Sequence, residues 1–420
     1  MHPCCALFHN RWRAACNVKD EMTRRRSKLI GIVVIAALLV PTRAPAYSVL
    51  THEATIDTVW DVAIKPLLLA RYPNTSPEAL NEARAHAYGG SVIHDLGYYP
   101  FGSKFFSNLL HYVRAGDFVE ALIRNANDVN ELAFALGALS HYASDNMGHP
   151  VATNRAVPMI YPKMQREFGN TVTYEDSPKR HILVEFSFDV VHVAAGLYAP
   201  EAFHRFIGFK VSKDVLERAF VETYGLDMGD LFFDRSLAVG TFRYAVGKAI
   251  PEMTKVAWKK KRKEIEQVKP GITRAHFIFN LSRREYEKEF GTDYAKPKGW
   301  ARIVGVLYHL IPKVGPFRAL GFQAPTPEAE KLFLESFTRT KERFTRELDA
   351  IRAGRLNLAN SNLDVGVPTA RGEYQLADDT YAELLEKLTD RKFSDVSDVL
   401  RAELRRHFGA DDPRLTLNQH

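Results

Sequence analysis

The chain of 420 residues is 46% hydrophobic and 25% charged, which excludes wholesale disorder and a polytopic membrane protein. Its length allows two or three domains, or one large helical body. The formal net charge of +7 would suit an anionic partner only if it belonged to the folded part of the chain, and it does not.

The excess sits in residues 1–46, with eight Lys/Arg against two Asp/Glu; the remainder carries 49 against 48, a net charge of +1. Overall basicity therefore gives no ground for a stable nucleic-acid complex. Within the leader, "MTRRRSK" is a basic segment, "LIGIVVIAALLV" an apolar run of twelve residues, and "PTRAPA" ends in Ala44-Pro45-Ala46. Residues 22–46 thus read as a secretory signal peptide cleaved before Tyr47. Met22 stands where such a signal starts, so residues 1–21 read as an upstream misreading of the start codon. The apolar run is too short to span a bilayer comfortably. The expected mature protein is exported, either periplasmic or secreted. Cys4, Cys5 and Cys16 all lie in the leader, so the mature chain would depend on core packing or metals rather than disulfides.

From Thr51 onward the pattern is helical. "HEATIDTVWDVAIKPLLLARY", "DFVEALIRNANDVNELAFALGALSHYASDN" and "HILVEFSFDVVHVAAGLY" carry apolar residues at helical spacing, separated by proline and glycine punctuation. No set of alternating strands appears, so an all-α fold is expected. The basic run "WKKKRKEIE" at 258–266 reads as a solvated helix face, with lipid phosphates as its alternative partner. "GWARIVGVLYHLIPKVGPF" reads as buried against the core, with peripheral membrane contact as the alternative. "GRLNLANSNLDVGVPTARGEYQ" is a long polar loop. After it "TYAELLEKLTDRKFSDVSDVLRAELRRHFG" is amphipathic, with Asp395 placed like an N-cap. No protein partner is indicated.

Thirteen histidines lie outside the leader, nine of them between His52 and His204. In a helix His141, Asp145 and His149 fall within about 80° of one another over about 12 Å of rise. Zinc–ligand bonds of about 2.0–2.2 Å are too short for one ion to take all three, so the spacing suits two ions. Gly148 and Pro150 would end the helix near His149 and turn that imidazole away. His181 and Glu185, at i and i+4 in an apolar segment, form a second metal-binding pair. Asp95, in a Gly/Pro-rich loop, and His111 are further candidates, while His86, His94 and His192 read as structural. On spacing alone the alternative is a buried hydrogen-bonded cluster.

In this order the residues resemble the zinc-dependent phospholipase C family, which shares its fold with single-strand-specific zinc nucleases. The resemblance implies a multi-helix bundle holding three zinc ions. One ion would take His111, His141 and Asp145, with Asp95 as a further ligand or general base. A second would take the free amine and carbonyl of Tyr47, His52 and bridging Asp145, and a third His149, His181 and Glu185. Between Asp145 and His149 stand three residues, "NMG", where the family usually has five. The resemblance covers a catalytic core over 47–290 and leaves 291–420 as a helical C-terminal extension of unassigned role. It implies an exported zinc-dependent hydrolase of phosphoric esters. Glu185 and the near-neutral mature charge favour a phospholipase C acting on phospholipid. The Tyr47–His52 spacing and the aromatics of "FFSNLLHYV" favour the alternative, a single-strand nuclease. A non-catalytic, metal-stabilised helical protein is the third reading.

Overall fold

The computed structural model describes residues 49–99, 101–189, 209–244, 322–394 and 396–416, with short pieces between 258 and 274. The leader, Tyr47, His192, the apolar run 299–317 and Asp395 lie outside the described residues. In the basic run, Lys259, Arg262 and Lys263 are exposed while Trp258 and Ile265 are buried, as on a solvated helix face.

Among the described residues the chain is all-α apart from one two-stranded hairpin. Helix α1 (Val49–Val59) passes through a π-helical turn (Trp60–Ile64) into α2 (Lys65–Arg71), and α3 (Pro77–Ser91) follows. A 3-10 helix (Ile93–Tyr98) then leads to α4 (Lys104–Tyr112) and α5 (Ala115–Arg124). Helix α6 (Val129–Gly148) is the centre of the fold. Asp128 starts it, its Oδ1 accepting from the N–H groups of Asn130 and Glu131 at 2.8 Å each. That cap splits the continuous helical pattern of 117–146 into α5 and α6. Helix α6 is buried almost all round, as a helix apolar on every face must be. Its closest neighbour is α3. A Cβ on Gly137 would lie 2.0 Å from Ala87 O, and one on Gly90 would lie 1.8 Å from Phe134 O, so the two backbones approach to a distance only glycine permits.

A second π-helical turn (His149–Thr153) joins α6 to α7 (Asn154–Ile160) and α8 (Pro162–Phe168). Next come α9 (Pro178–Phe188), α10 (Lys213–Tyr224), α11 (Met228–Leu231) and α12 (Arg235–Tyr244). The C-terminal part packs on this body. Helix α13 (Pro327–Arg352) sets Phe333 against Phe188 with ring centroids 4.6 Å apart, and Arg352 donates to Ala63 O at 2.6 Å. The polar loop beyond it forms the hairpin β1 (Ser361–Asn362) and β2 (Val367–Pro368), paired antiparallel. Helices α14 (Gln375–Asp390), α15 (Asp398–Phe408) and α16 (Pro413–Thr416) close the chain. The cap of α15 is Ser397, whose Oγ accepts from Leu400 N–H at 3.2 Å, rather than the expected Asp395. Lys392 and Phe393, both at positive φ, end α14, and Ser397 stands at the position from which a side-chain oxygen reaches the first turn of α15. Among the described residues no helix is long and apolar enough to cross a membrane.

Candidate metal centre

Six separate elements bring the expected site residues together. Helix α1 carries His52, the 3-10 helix Asp95, α4 His111, α6 His141 and Asp145, the second π-helical turn His149, and α9 His181 and Glu185. None of these residues is more than 3% exposed. The start of α1 is held by Asp189, which accepts from Leu50 N–H at 2.9 Å and Thr51 N–H at 3.0 Å. This capping fixes the helix that presents His52.

Asp145 is the hub. Its Oδ2 lies 3.0 Å from His141 Nε2 and 3.4 Å from His111 Nε2, and its Oδ1 lies 3.6 Å from His52 Nε2. His111 Nε2 is also 3.6 Å from Asp95 Oδ1. The other nitrogens define the tautomers. His141 Nδ1 is 2.8 Å from Ser91 O and His111 Nδ1 is 2.8 Å from Ser107 O. A carbonyl only accepts, so each Nδ1 carries the hydrogen and each Nε2 turns a lone pair toward the other, 3.4 Å away, and toward the carboxylate. Converging acceptors of this kind need a cation.

His149 belongs to a second group. His149 follows Asp145 in α-helical register, its N–H bonded to Asp145 O, and its ring spans the two groups: Nε2 is 3.8 Å from Asp145 while Nδ1 faces His181 Nε2 at 3.3 Å. Glu185 Oε1 is 2.5 Å from His181 Nδ1 and 4.0 Å from His149 Nδ1. One residue here was absent from the sequence reading. Asp364, from the hairpin, places Oδ1 3.0 Å from His149 Nδ1 and 3.5 Å from His181 Nε2. The polar-loop reading gave no periodicity to tie it to this face; the only local signal is an aspartate flanked by Leu363 and Val365, apolar residues in an otherwise polar stretch.

The electrostatics agree with the geometry. Burial pushes the imidazoles of His52 and His94 well down, and those of His111 and His181 down, so these rings are neutral. Burial pushes the carboxyls of Asp95 and Glu185 well up. It would also raise Asp145, but positive charge at His141 and hydrogens donated from His111 would hold that carboxyl well below the usual range, and with the hydrogens on Nδ1 that charge falls to a cation. Burial acts on Asp364 in the same sense and is outweighed by His149, His181 and the Tyr374 hydroxyl, which bring it down to about 2.

Both oxygens of Asp95, Asp145 and Glu185, and Oδ1 of Asp364, are buried without an aligned hydrogen bond. Such atoms are costly unless a cation compensates them. Ligands of one tetrahedral zinc stand about 3.3–3.4 Å apart when its bonds are about 2.0–2.1 Å. The separations among His111 Nε2, His141 Nε2 and Asp145 Oδ2, 3.0 to 3.4 Å, match that spacing. Three groups can hold an ion: His52 with His141 and Asp145, Asp95 with His111 and His141, and His149 with His181 and Glu185. The donor set of imidazoles and carboxylates suits zinc.

The residues read as structural divide. His86 lies apart, hydrogen-bonded through Nδ1 to Ser212 Oγ at 2.7 Å. His94 is in the wall of the cluster, its ring stacked on His141 at 4.2 Å. Tyrosines line the same region. Tyr98 is 6.0 Å from His111 and 6.2 Å from Tyr174, and Tyr174 is 5.8 Å from His181, all between ring centroids.

Residues 51–233 match the family described as zinc dependent phospholipase C. No curated protein and no solved structure matches the chain. The match includes every candidate ligand named from the sequence except Tyr47, and it ends well before Asp364.

Proposed function

From the match of residues 51–233 to the zinc dependent phospholipase C family, we propose that the protein is an exported zinc-dependent hydrolase that cleaves phospholipids to diacylglycerol and a phosphorylated head group. The observation that carries this reading is the convergence of buried imidazole and carboxylate atoms on three groups. In this reading His111, His141 and Asp145 would hold one ion with Asp95 beside them, His52 and Asp145 would hold a second with Tyr47, and His149, His181 and Glu185 would hold a third. Zinc so bound supplies Lewis acidity toward a phosphoryl oxygen and makes water nucleophilic near neutral pH. The chain's own residues do the rest. Ser91 and Ser107 carbonyls keep the Nε2 atoms of His141 and His111 unprotonated and aimed at Asp145. Asp95, buried 3.6 Å from His111 and ionised once a cation lies beside it, would take the proton of the attacking water and pass it to the glycerol oxygen as its bond to phosphorus breaks.

The leader that ends in Ala44-Pro45-Ala46 supports the export part of the proposal, and its removal would free the amine of Tyr47. The net charge of +1 beyond residue 46 supports a lipid rather than a nucleic-acid substrate. The tyrosines beside the cluster favour a second reading, a single-strand phosphodiesterase that stacks bases on Tyr98 and Tyr174. The test is turnover of phosphatidylcholine vesicles and of single-stranded DNA by zinc-replete protein, each with and without chelator. Chelator-sensitive release of diacylglycerol supports the lipid reading; cleavage of DNA alone replaces it with the second; a folded, zinc-loaded protein inert on both leaves a metal-stabilised protein without this activity.

A further inference from the structure

Asp364 stands outside the matched segment and outside the helices that carry the other candidate ligands, in the turn between β1 and β2. We propose that Asp364 is a ligand of the ion held by His149 and His181, which makes the C-terminal part of the chain a component of the metal centre. The inference rests on the reading of the cluster as metal-binding and adds to it a residue that the family match does not reach.

The two oxygens of Asp364 are used differently. Oδ2 accepts from Tyr174 N–H at 2.9 Å and from the Tyr374 hydroxyl. Oδ1 is buried, has no aligned hydrogen bond, and faces the two imidazoles. One oxygen fixed by donors and the other turned to a cation is how proteins orient a carboxylate ligand. The distances agree. His149 Nδ1, His181 Nε2 and Asp364 Oδ1 are 3.0, 3.3 and 3.5 Å apart, against about 3.3–3.4 Å for three ligands of one tetrahedral zinc. Glu185 sits beside the other nitrogen of the His181 ring. An ion bound at His181 Nε2 therefore has Asp364 as its nearer carboxylate.

The hairpin is built to hold that position. Asn154 Nδ2 donates to Asp364 O at 2.7 Å, and Leu363 N–H donates to His111 O at 3.0 Å. Gly366 has φ +73°, and a Cβ there would meet Asn146 O at 2.8 Å and Pro150 Cγ at 2.9 Å. The turn thus lies directly on the segment that carries Asp145 and His149. With His149 and His181, Asp364 brings the protein donors around His181 Nε2 to three, while Glu185 holds the opposite nitrogen of that ring. The competing arrangement on the same atoms is a hydrogen bond from His181 Nε2 to Asn154 Oδ1, 2.7 Å away, which needs the proton that an ion displaces.

The test compares wild type, Asp364→Asn and Tyr374→Phe in the full processed chain. Zinc per chain is read by elemental analysis, affinity by competition with a chromophoric chelator, and folding by circular dichroism. The expected result is one zinc fewer for Asp364→Asn. For Tyr374→Phe it is an unchanged count, with one zinc bound roughly 10–100-fold more weakly. Wild-type count and affinity in a folded Asp364→Asn protein overturn the proposal and leave the metal reading intact. A wild type that binds no zinc removes the metal reading and this inference with it. Should Asp364→Asn fail to fold, the affinity of Tyr374→Phe decides, with a wild-type value counting against the proposal.

Discussion

Substituting Asp145→Asn removes a charge and almost no volume from the point where four imidazoles meet. The carboxylate lies 3.0 Å from His141, 3.4 Å from His111, 3.6 Å from His52 and 3.8 Å from His149. Zinc bound by about four protein ligands contributes roughly 10–16 kcal/mol, so one ligand accounts for about 3–4 kcal/mol, or a few hundred-fold in affinity. Asp145 presents Oδ2 to His111 and His141 and Oδ1 to His52, so its loss weakens two ions rather than one. The asparagine amide can donate to the facing Nε2 lone pairs, and the zinc-free protein should therefore keep its fold. The assay is zinc affinity by competition with a chromophoric chelator, beside the far-UV circular dichroism spectrum and phospholipid turnover. The account expects native helicity, two zinc ions bound roughly a few hundred-fold more weakly than in wild type, and turnover below one-hundredth. Wild-type zinc affinity in the folded variant would refute the assignment of Asp145 as the bridging group.

Gly137→Ala should destabilise by about 1–3 kcal/mol or more, because the new Cβ meets Ala87 O on a backbone that cannot yield; an unchanged melting temperature would contradict the close approach of α3 and α6. Asp189→Ala should cost about 1–2 kcal/mol through uncapping of α1, with a fall in zinc affinity as His52 loosens, both measurable in one thermal and chelator titration. His86 provides a pH test away from the cluster. Burial and Lys210 push its imidazole down from 6.5 to about 4 in the folded state. As pH falls from about 6.5 to about 4 the unfolded chain takes up a proton that the folded chain refuses, so stability is lost across that window, on the order of 3 kcal/mol at most. His86→Gln should flatten the acid limb of the melting curve over this range, and an identical slope in both proteins would sink the argument.

What the sequence made legible is what helical periodicity can carry. His141 with Asp145 and His181 with Glu185 are four residues apart on apolar helices, and that spacing alone put each pair on one face. The order of residues across separate helices was legible only through family resemblance, since no local rule brings Asp95 to His111. The departure at "NMG" is explained by the reach of the imidazole: His149 stays in α-helical register with Asp145, and its two ring nitrogens face Asp145 and His181, so a short spacing still delivers it to the second group. Asp364 was not legible because a two-residue hairpin in a polar loop has no periodicity, and its partner His149 lies more than two hundred residues earlier. The start of α15 reads two residues early in the sequence, at Asp395, because aspartate and serine both offer a side-chain oxygen for capping; the chain turns left-handed at Lys392 and Phe393, and Ser397 caps the helix.

The most direct measurement is zinc per chain, by elemental analysis, on protein exported and processed at Tyr47 and never exposed to chelator. The account predicts three ions per chain. A folded protein with no bound zinc would contradict it, and the buried imidazoles and carboxylates around Asp145 would then be a hydrogen-bonded core cluster rather than a metal centre.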